Sequence, residues 1–169
     1  MELNKKQVGA LLKVIGKDTS RAILTNAHID RYDDSYVLVA TDGYVLVALK
    51  LGDDAEMLMG KNIRRSAIEK WYKLADGKSR LNTEELRHVS GSDYADNGSY
   101  DESEYPKWQN ILPSGDAMGL DELTFNAEYA KNLQDLDGGE GLTYKLHGVL
   151  KAMVASNDSG TYVLMPKRK

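Results

Sequence analysis

Cysteine is absent from the sequence, which excludes disulfides, thiolate metal sites and thiol catalysis and fits a reducing cytoplasm. Histidine occurs only as His28, His88 and His147, isolated and without metal-ligand spacing, so satisfied or surface positions are expected. No Ser-His-Asp arrangement stands out. Gly138-Gly139-Glu140-Gly141 precedes a strand-like run, the wrong context for a phosphate loop. No apolar run approaches membrane-spanning length, and the first residues lack the apolar core of a secretory signal. These absences leave no catalytic residue, metal, cofactor or membrane to expect, and they point away from an enzyme.

What is present is ordinary for a soluble domain. The chain has 169 residues, 41% hydrophobic and 28% charged, enough for one large domain or a domain and a half. A net charge of -4 argues against nucleic acid until its placement is considered. Asp93, Asp96, Asp101, Glu102 and Glu104 fall in one stretch with no basic residue, which leaves the rest close to neutral with its lysines grouped. Segregation of sign weighs more for DNA than the total does. The acidic run has no histidine partner and no calcium-loop spacing, so residues 90–104 read as a solvated, mobile loop.

Periodicity divides the chain into three similar passages. Asn4 is placed to cap a helix carrying Val8, Leu11, Leu12 and Ile15 on one face, with Gly16 at its end. Lys6, Lys13 and Lys17 share the opposite stripe. Strands are predicted over 22–29, 36–40 and 44–49, and Asp42-Gly43 supplies a tight reversal between the last two. A second passage has a short strand at 56–59 and a helix capped by Ser66, with Ile68, Trp71, Tyr72 and Ala75 inward and Lys70 and Lys73 outward. Weak strand signals follow at 80–82 and 87–89. Residues 105–113 read as an extended connector, because each proline biases its predecessor away from helix. The third passage has a strand at 123–125, a helix capped by Asn126 and ending before Gly138, and strands at 142–146, 149–154 and 162–165. The caps at positions 4, 66 and 126 lie 62 and 60 residues apart, the spacing of a repeated strand–helix–strands unit.

Four segments carry a family resemblance. ATDGYVLV at 40–47 resembles the ATDGHRLA signature in the middle domain of bacterial DNA polymerase III β subunits, the sliding clamps. YPKWQNILP at 105–113 is similar to the segment closing that domain. LTFNAEYAKNL at 123–133 resembles the opening of the last half-domain, and TYVLMPKRK resembles the YVVMPMRL ending. The four occur in the family's order. The resemblance implies an α+β, DNA-clamp-like fold of repeated β-α-β-β(-β) units with helices on one face of antiparallel sheets. It also implies a complete clamp-like domain over 1–113, half a domain over 114–169, and a shortened, phage- or prophage-type member.

The resemblance further implies a function: a cytoplasmic processivity factor that tethers replication proteins to duplex DNA without sequence preference. Lys6, Lys13, Lys17, Lys70 and Lys73 would face the DNA, while Glu128 and Asp135 offset Lys131 on the third helix. A groove for the peptides of polymerases, clamp loaders and other partners would use Thr41, Gly43, Tyr44, Val45, Leu46, Pro113, Val163, Met165 and Pro166. Tyr44-Val45 stands where the family has a basic pair, and Lys167 replaces an apolar residue. A ring of twelve half-domain units would need about four copies, a homo-oligomer of closed symmetry. The alternative is a clamp mimic or regulator that keeps the groove without encircling DNA.

Overall fold

Asn4 starts the first helix with a reciprocal capping box: its side chain accepts from Gln7 N–H at 3.0 Å, and Gln7 Oε1 accepts from Asn4 N–H at 3.1 Å. In the computed structural model, which describes residues 2–90, 100–101, 103–119, 123–139 and 141–167, helix α1 runs Lys5–Val14. Helix α2 is Arg65–Leu74, α3 is Thr83–Ser90 and α4 is Ala127–Asp137. Strands β1 (Leu3–Asn4) and β6 (Arg80–Leu81) form a small ladder of their own. The main sheet contains β2 (Asn26–Tyr32), β3 (Ser35–Thr41), β4 (Val45–Lys50), β5 (Asn62–Arg64), β7 (Tyr100–Asp101), β8 (Met153–Asn157) and β9 (Gly160–Leu164). Its order is β7-β5-β2-β3-β4-β9-β8, antiparallel throughout.

The sheet buries both faces by strict alternation. Ala27, Ile29, Leu38, Ala40, Val45, Val47, Leu49, Tyr162 and Leu164 face the helices and pack with Val8, Leu11, Ile68, Trp71, Leu133 and Leu136. Val37, Val39, Leu46, Ala48 and Val163 face outward, beneath Tyr105, Trp108, Ile23, Leu24 and Leu112. A polar set fastens the 103–112 segment there. Asp30 Oδ2 accepts from Trp108 Nε1 and Gln109 Nε2, each at 2.8 Å, and Asn62 Nδ2 donates to the Ser103 carbonyl at 2.7 Å. His28 stacks on Tyr105 at 4.7 Å, and burial lowers its pKa.

Helix α1 lies between α2 and α4, antiparallel to both. Arg65 at the start of α2 donates to the Leu12 and Ile15 carbonyls at the end of α1, where a cation suits the helix dipole. Lys5 Nζ reaches the Ala75 carbonyl at 2.6 Å at the other end. On the α4 side, Gln7 Nε2 donates to the Leu136 carbonyl at 2.9 Å and Lys13 Nζ to Asn132 Oδ1 at 3.3 Å.

Several local expectations are corrected. Residues Thr19–Thr25 form two short 3₁₀ turns on either side of a kink at Arg21, begun by Asp18, which accepts from Ser20 N–H, so the strand starts only at Asn26. Asp53–Leu58 is also 3₁₀ rather than strand, with Ala55 and Leu58 buried three residues apart. Ser66 does not cap α2: Arg64 occupies that position with no side-chain hydrogen bond, because β5 runs directly into the helix. Residues 87–89 belong to α3, started where Asn82 Oδ1 accepts from Glu85 N–H and docked by Leu86. Trp108–Ile111 turns the connector into 3₁₀ helix. Residues 123–125 form no strand, 142–146 contribute one bridge, Lys145 to Val154, and β8 begins only at Met153. The 90–104 loop expectation falls largely outside the described residues, although Tyr100–Asp101 pairs with β5. Gly16 is not the helix cap, a place Ile15 takes; its N–H donates to the Leu24 carbonyl at 2.9 Å, leaving no room for a Cβ.

Gly160 starts β9 where a Cβ would collide with the Ala48 carbonyl oxygen and sit 3.0 Å from Leu49 Cα. Gly160→Ala is expected to lower the unfolding free energy by about 1–3 kcal/mol, the usual cost of overpacking. Urea denaturation checks this, and an unchanged midpoint contradicts the β4–β9 register.

Candidate functional site

The turn at 41–44 is built by its own polar side chains. Thr41 Oγ1 donates to the Val45 carbonyl at 2.6 Å and accepts from Gly43 N–H at 3.0 Å. Asp42 Oδ1 accepts from the N–H groups of Tyr44 at 2.8 Å and Val45 at 3.0 Å. Gly43 has φ of 94°, in the region glycine tolerates, and Arg21 Nη1 lies where a Cβ would project. A loop closed in this way presents the next side chain outward, and Tyr44 is 58% exposed.

The carboxy-terminal strand meets this turn. β9 pairs with β4 from Leu49↔Gly160 to Val45↔Leu164, and the ladder continues as Met165 N–H donates to the Tyr44 carbonyl at 2.9 Å. Lys167 N–H then donates to the Thr124 carbonyl at 2.7 Å, fixing the tail against the segment that leads into α4. Asn126 caps α4 by accepting from Glu128 N–H at 2.9 Å. Tyr129, less than one turn further, stacks on Tyr44 with ring centroids 6.3 Å apart and planes 13° from parallel. Burial, and then the nearby Asp42 carboxylate, raise the pKa of the Tyr129 phenol.

These elements enclose a cleft of about 500 Å³ lined by Gly43, Tyr44, Asn126, Tyr129, Met165, Pro166 and Lys167. Of the groove residues expected from the sequence, Gly43, Tyr44, Met165 and Pro166 line it. Thr41 is buried and holds the turn. Val45 faces the helix-side core, while Leu46 and Val163, 1% and 0% exposed, are paired on the outer face and fully covered. Pro113 is half-buried beyond Leu112 and does not line the cleft. Sequence reasoning missed Asn126 and Tyr129 as lining residues, although both stand inside the 123–133 segment at helix-cap spacing, and it noted Lys167 only as a departure from the family's apolar residue.

The five lysines are exposed, four on α1 and α2 and Lys17 just after α1. Their surroundings differ. Lys17 shares a cavity with Thr19, Arg64, Arg65 and Glu69. Lys6 is bound to Asp135 at 2.9 Å, and the same carboxylate takes Lys131 at 2.6 Å. Among the described residues no group of His, Asp and Glu is arranged to hold a metal, and no helix is long and apolar enough to cross a membrane.

A helix layer on one face of an antiparallel sheet, with a turn and a tail strand meeting at its end, is the sliding-clamp fold, and solved structures match it with probability 1.00. Neither a family model nor a curated protein sequence matches the chain. Among solved structures it is similar to DNA polymerase III subunit β of Borrelia burgdorferi in complex with a natural product, with TM-score 0.69 and 13% identity over 100% of this chain and 62% of that one. It is similar also to the Bacillus subtilis DNA polymerase sliding clamp (TM-score 0.66, 11% identity, 100% and 64% covered). The sliding clamp of Bartonella birtlesii bound to griselimycin gives TM-score 0.58 at 17% identity, with 100% and 66% covered. The chain therefore spans less than two thirds of the length of these structures, and the likeness concerns the fold.

Lys131 and Lys6 together hold the Asp135 carboxyl down at about 2. A depressed folded-state value means that the stabilisation is complete above the unfolded carboxyl value of about 4 and is lost as pH falls through about 2. Carbon-detected NMR titration of Asp135 is expected to give a midpoint near the lower value. Asp135→Asn should remove part of the acid sensitivity of melting, and a midpoint near the ordinary carboxyl value contradicts the clasp.

Proposed function

We propose that the chain is a sliding-clamp-type tether: a non-enzymatic protein whose helix layer lies against duplex DNA and whose cleft takes apolar peptide segments of replication proteins. The observation that carries this reading is the meeting of Tyr44 and Met165. They adjoin paired strands more than a hundred residues apart in sequence, Tyr44 just before β4 and Met165 just after β9, yet they sit side by side on an open apolar cleft. Apolar anchors in a preformed cleft are the usual basis of peptide capture. The exposed lysines of α1 and α2 would supply salt-dependent, sequence-independent attraction to phosphates. On this reading 1–113 corresponds to a whole clamp domain and 114–169 to half of one, and several copies associate to close a ring.

The anchoring role predicts that Tyr44→Ala and Met165→Ala each weaken binding of a fluorescent clamp-binding peptide by about five- to thirty-fold, the range of interface anchors. Unchanged anisotropy titrations would count against the cleft.

A second reading is favoured by Asp135, which neutralises Lys6 and Lys131 on one side of the helix layer. There the protein is a clamp mimic or regulator that keeps the cleft without encircling DNA. Retention on nicked circular but not linear duplex, with light scattering showing a closed oligomer, is expected for the tether. A monomer that binds peptide and is not retained on circles supports the mimic.

A further inference from the structure

Among the described residues lining the cleft, Lys167 alone is charged, and it is cationic. Its main chain is fixed by the bond to the Thr124 carbonyl at 2.7 Å, so its side chain projects from an anchored position at the rim. The turn carboxylate of Asp42 is engaged, with Oδ1 accepting from two backbone N–H groups and the side chain also meeting the Tyr129 phenol. Beside Lys167 the Tyr44 and Tyr129 rings lie nearly parallel and form a flat aromatic wall, with Met165 and Pro166 completing the apolar floor. Such a wall favours offset stacking with another ring, and thioether–ring contact adds to it.

Resting on the proposed peptide-binding role, we infer that the cleft selects a peptide bearing an aromatic anchor beside a carboxylate, with Lys167 reading the carboxylate. The aromatic side chain lies against Tyr44 and Tyr129, and the carboxylate sits over the rim. An exposed ion pair of this kind gives a modest, salt-sensitive preference, so it sorts peptides that the apolar cleft already holds. The carboxylate has two sources, an Asp or Glu side chain or the free end of a chain.

The test uses the full-length protein and four labelled hexapeptides, read by fluorescence anisotropy. One carries Phe and Asp with an amidated end, one Phe and Asn with a free end, one Phe and Asn amidated, and one Ala and Asp amidated. At low salt at least one of the first two is expected to bind about two- to five-fold more tightly than the third, and which one does so identifies the carboxylate. The fourth should bind at least about five-fold more weakly than the first. Lys167→Met should bring the ratio of affinities for the charged and neutral Phe peptides down to about one, whatever it does to the affinity for the neutral peptide. Lys167→Glu should invert the preference in favour of a Phe-and-Lys peptide. Equal binding of the three Phe peptides by the unaltered protein overturns this inference and leaves the cleft as a peptide site. A preference that survives Lys167→Met overturns it as well. Binding of none of the peptides overturns the peptide-binding role and this inference with it.

Discussion

The ladder between β4 and β9, from Leu49↔Gly160 to Val45↔Leu164, joins two parts of the chain that share no local interaction in sequence. Through it, Tyr162 and Leu164 enter the helix-side core and Val163 the outer one. A fully buried side chain of this size contributes roughly 1.5–3 kcal/mol, so a strand buried on both faces offsets much of the entropy of closing so long a loop. The ladder's last bond places Met165 against Tyr44, and the next, from Lys167 to Thr124, sets the start of α4. Helix α4 thereby reaches α1, where Gln7 and Lys13 hold it. The pairing that completes the core therefore also forms the cleft.

This dependence explains which parts of the site could be read from the sequence. Thr41-Asp42-Gly43 declares itself locally, because its bonds and the positive φ at Gly43 involve only neighbouring residues. Asn4 and Asn126 do so for the same reason, each satisfying N–H groups within its own helix. The lining role of Tyr129 is invisible locally. Its position in α4 looks like another apolar helix residue until β9 brings the tail alongside. Lys167 is a charged terminal residue until Thr124 holds its backbone at a cleft.

The misread segments have a common cause. Residues 53–58 and 19–25 are short and apolar at the positions that pack, and a period of three is hard to tell from a period of two over one turn. Ala55 and Leu58 are buried in the first, and Ile23 and Leu24 pack on the outer sheet face in the second. Tertiary contacts decided these segments. The start of α2 shows the same effect: Arg65 is engaged with the end of α1, so the helix begins there without a side-chain cap.

The same bonds that secure α4 shape the charge of the helix layer. α1 carries Lys5, Lys6 and Lys13 with no acid, and α2 sets Arg65, Lys70 and Lys73 against Glu69. α4 sets Lys131 against Glu128, Asp135 and Asp137. Because Asp135 binds both Lys6 and Lys131, the α1–α4 seam gains cohesion and loses free positive charge. The other exposed lysines of the layer lie toward α2 and the end of α1, at Lys13, Lys17, Lys70 and Lys73. Coulomb attraction between exposed charges fades beyond roughly 10 Å at 0.1 M salt. On the proposed tether reading, a duplex lying on this layer would be drawn mainly by the α1–α2 half, and the seam with α4 would serve the fold more than the phosphates.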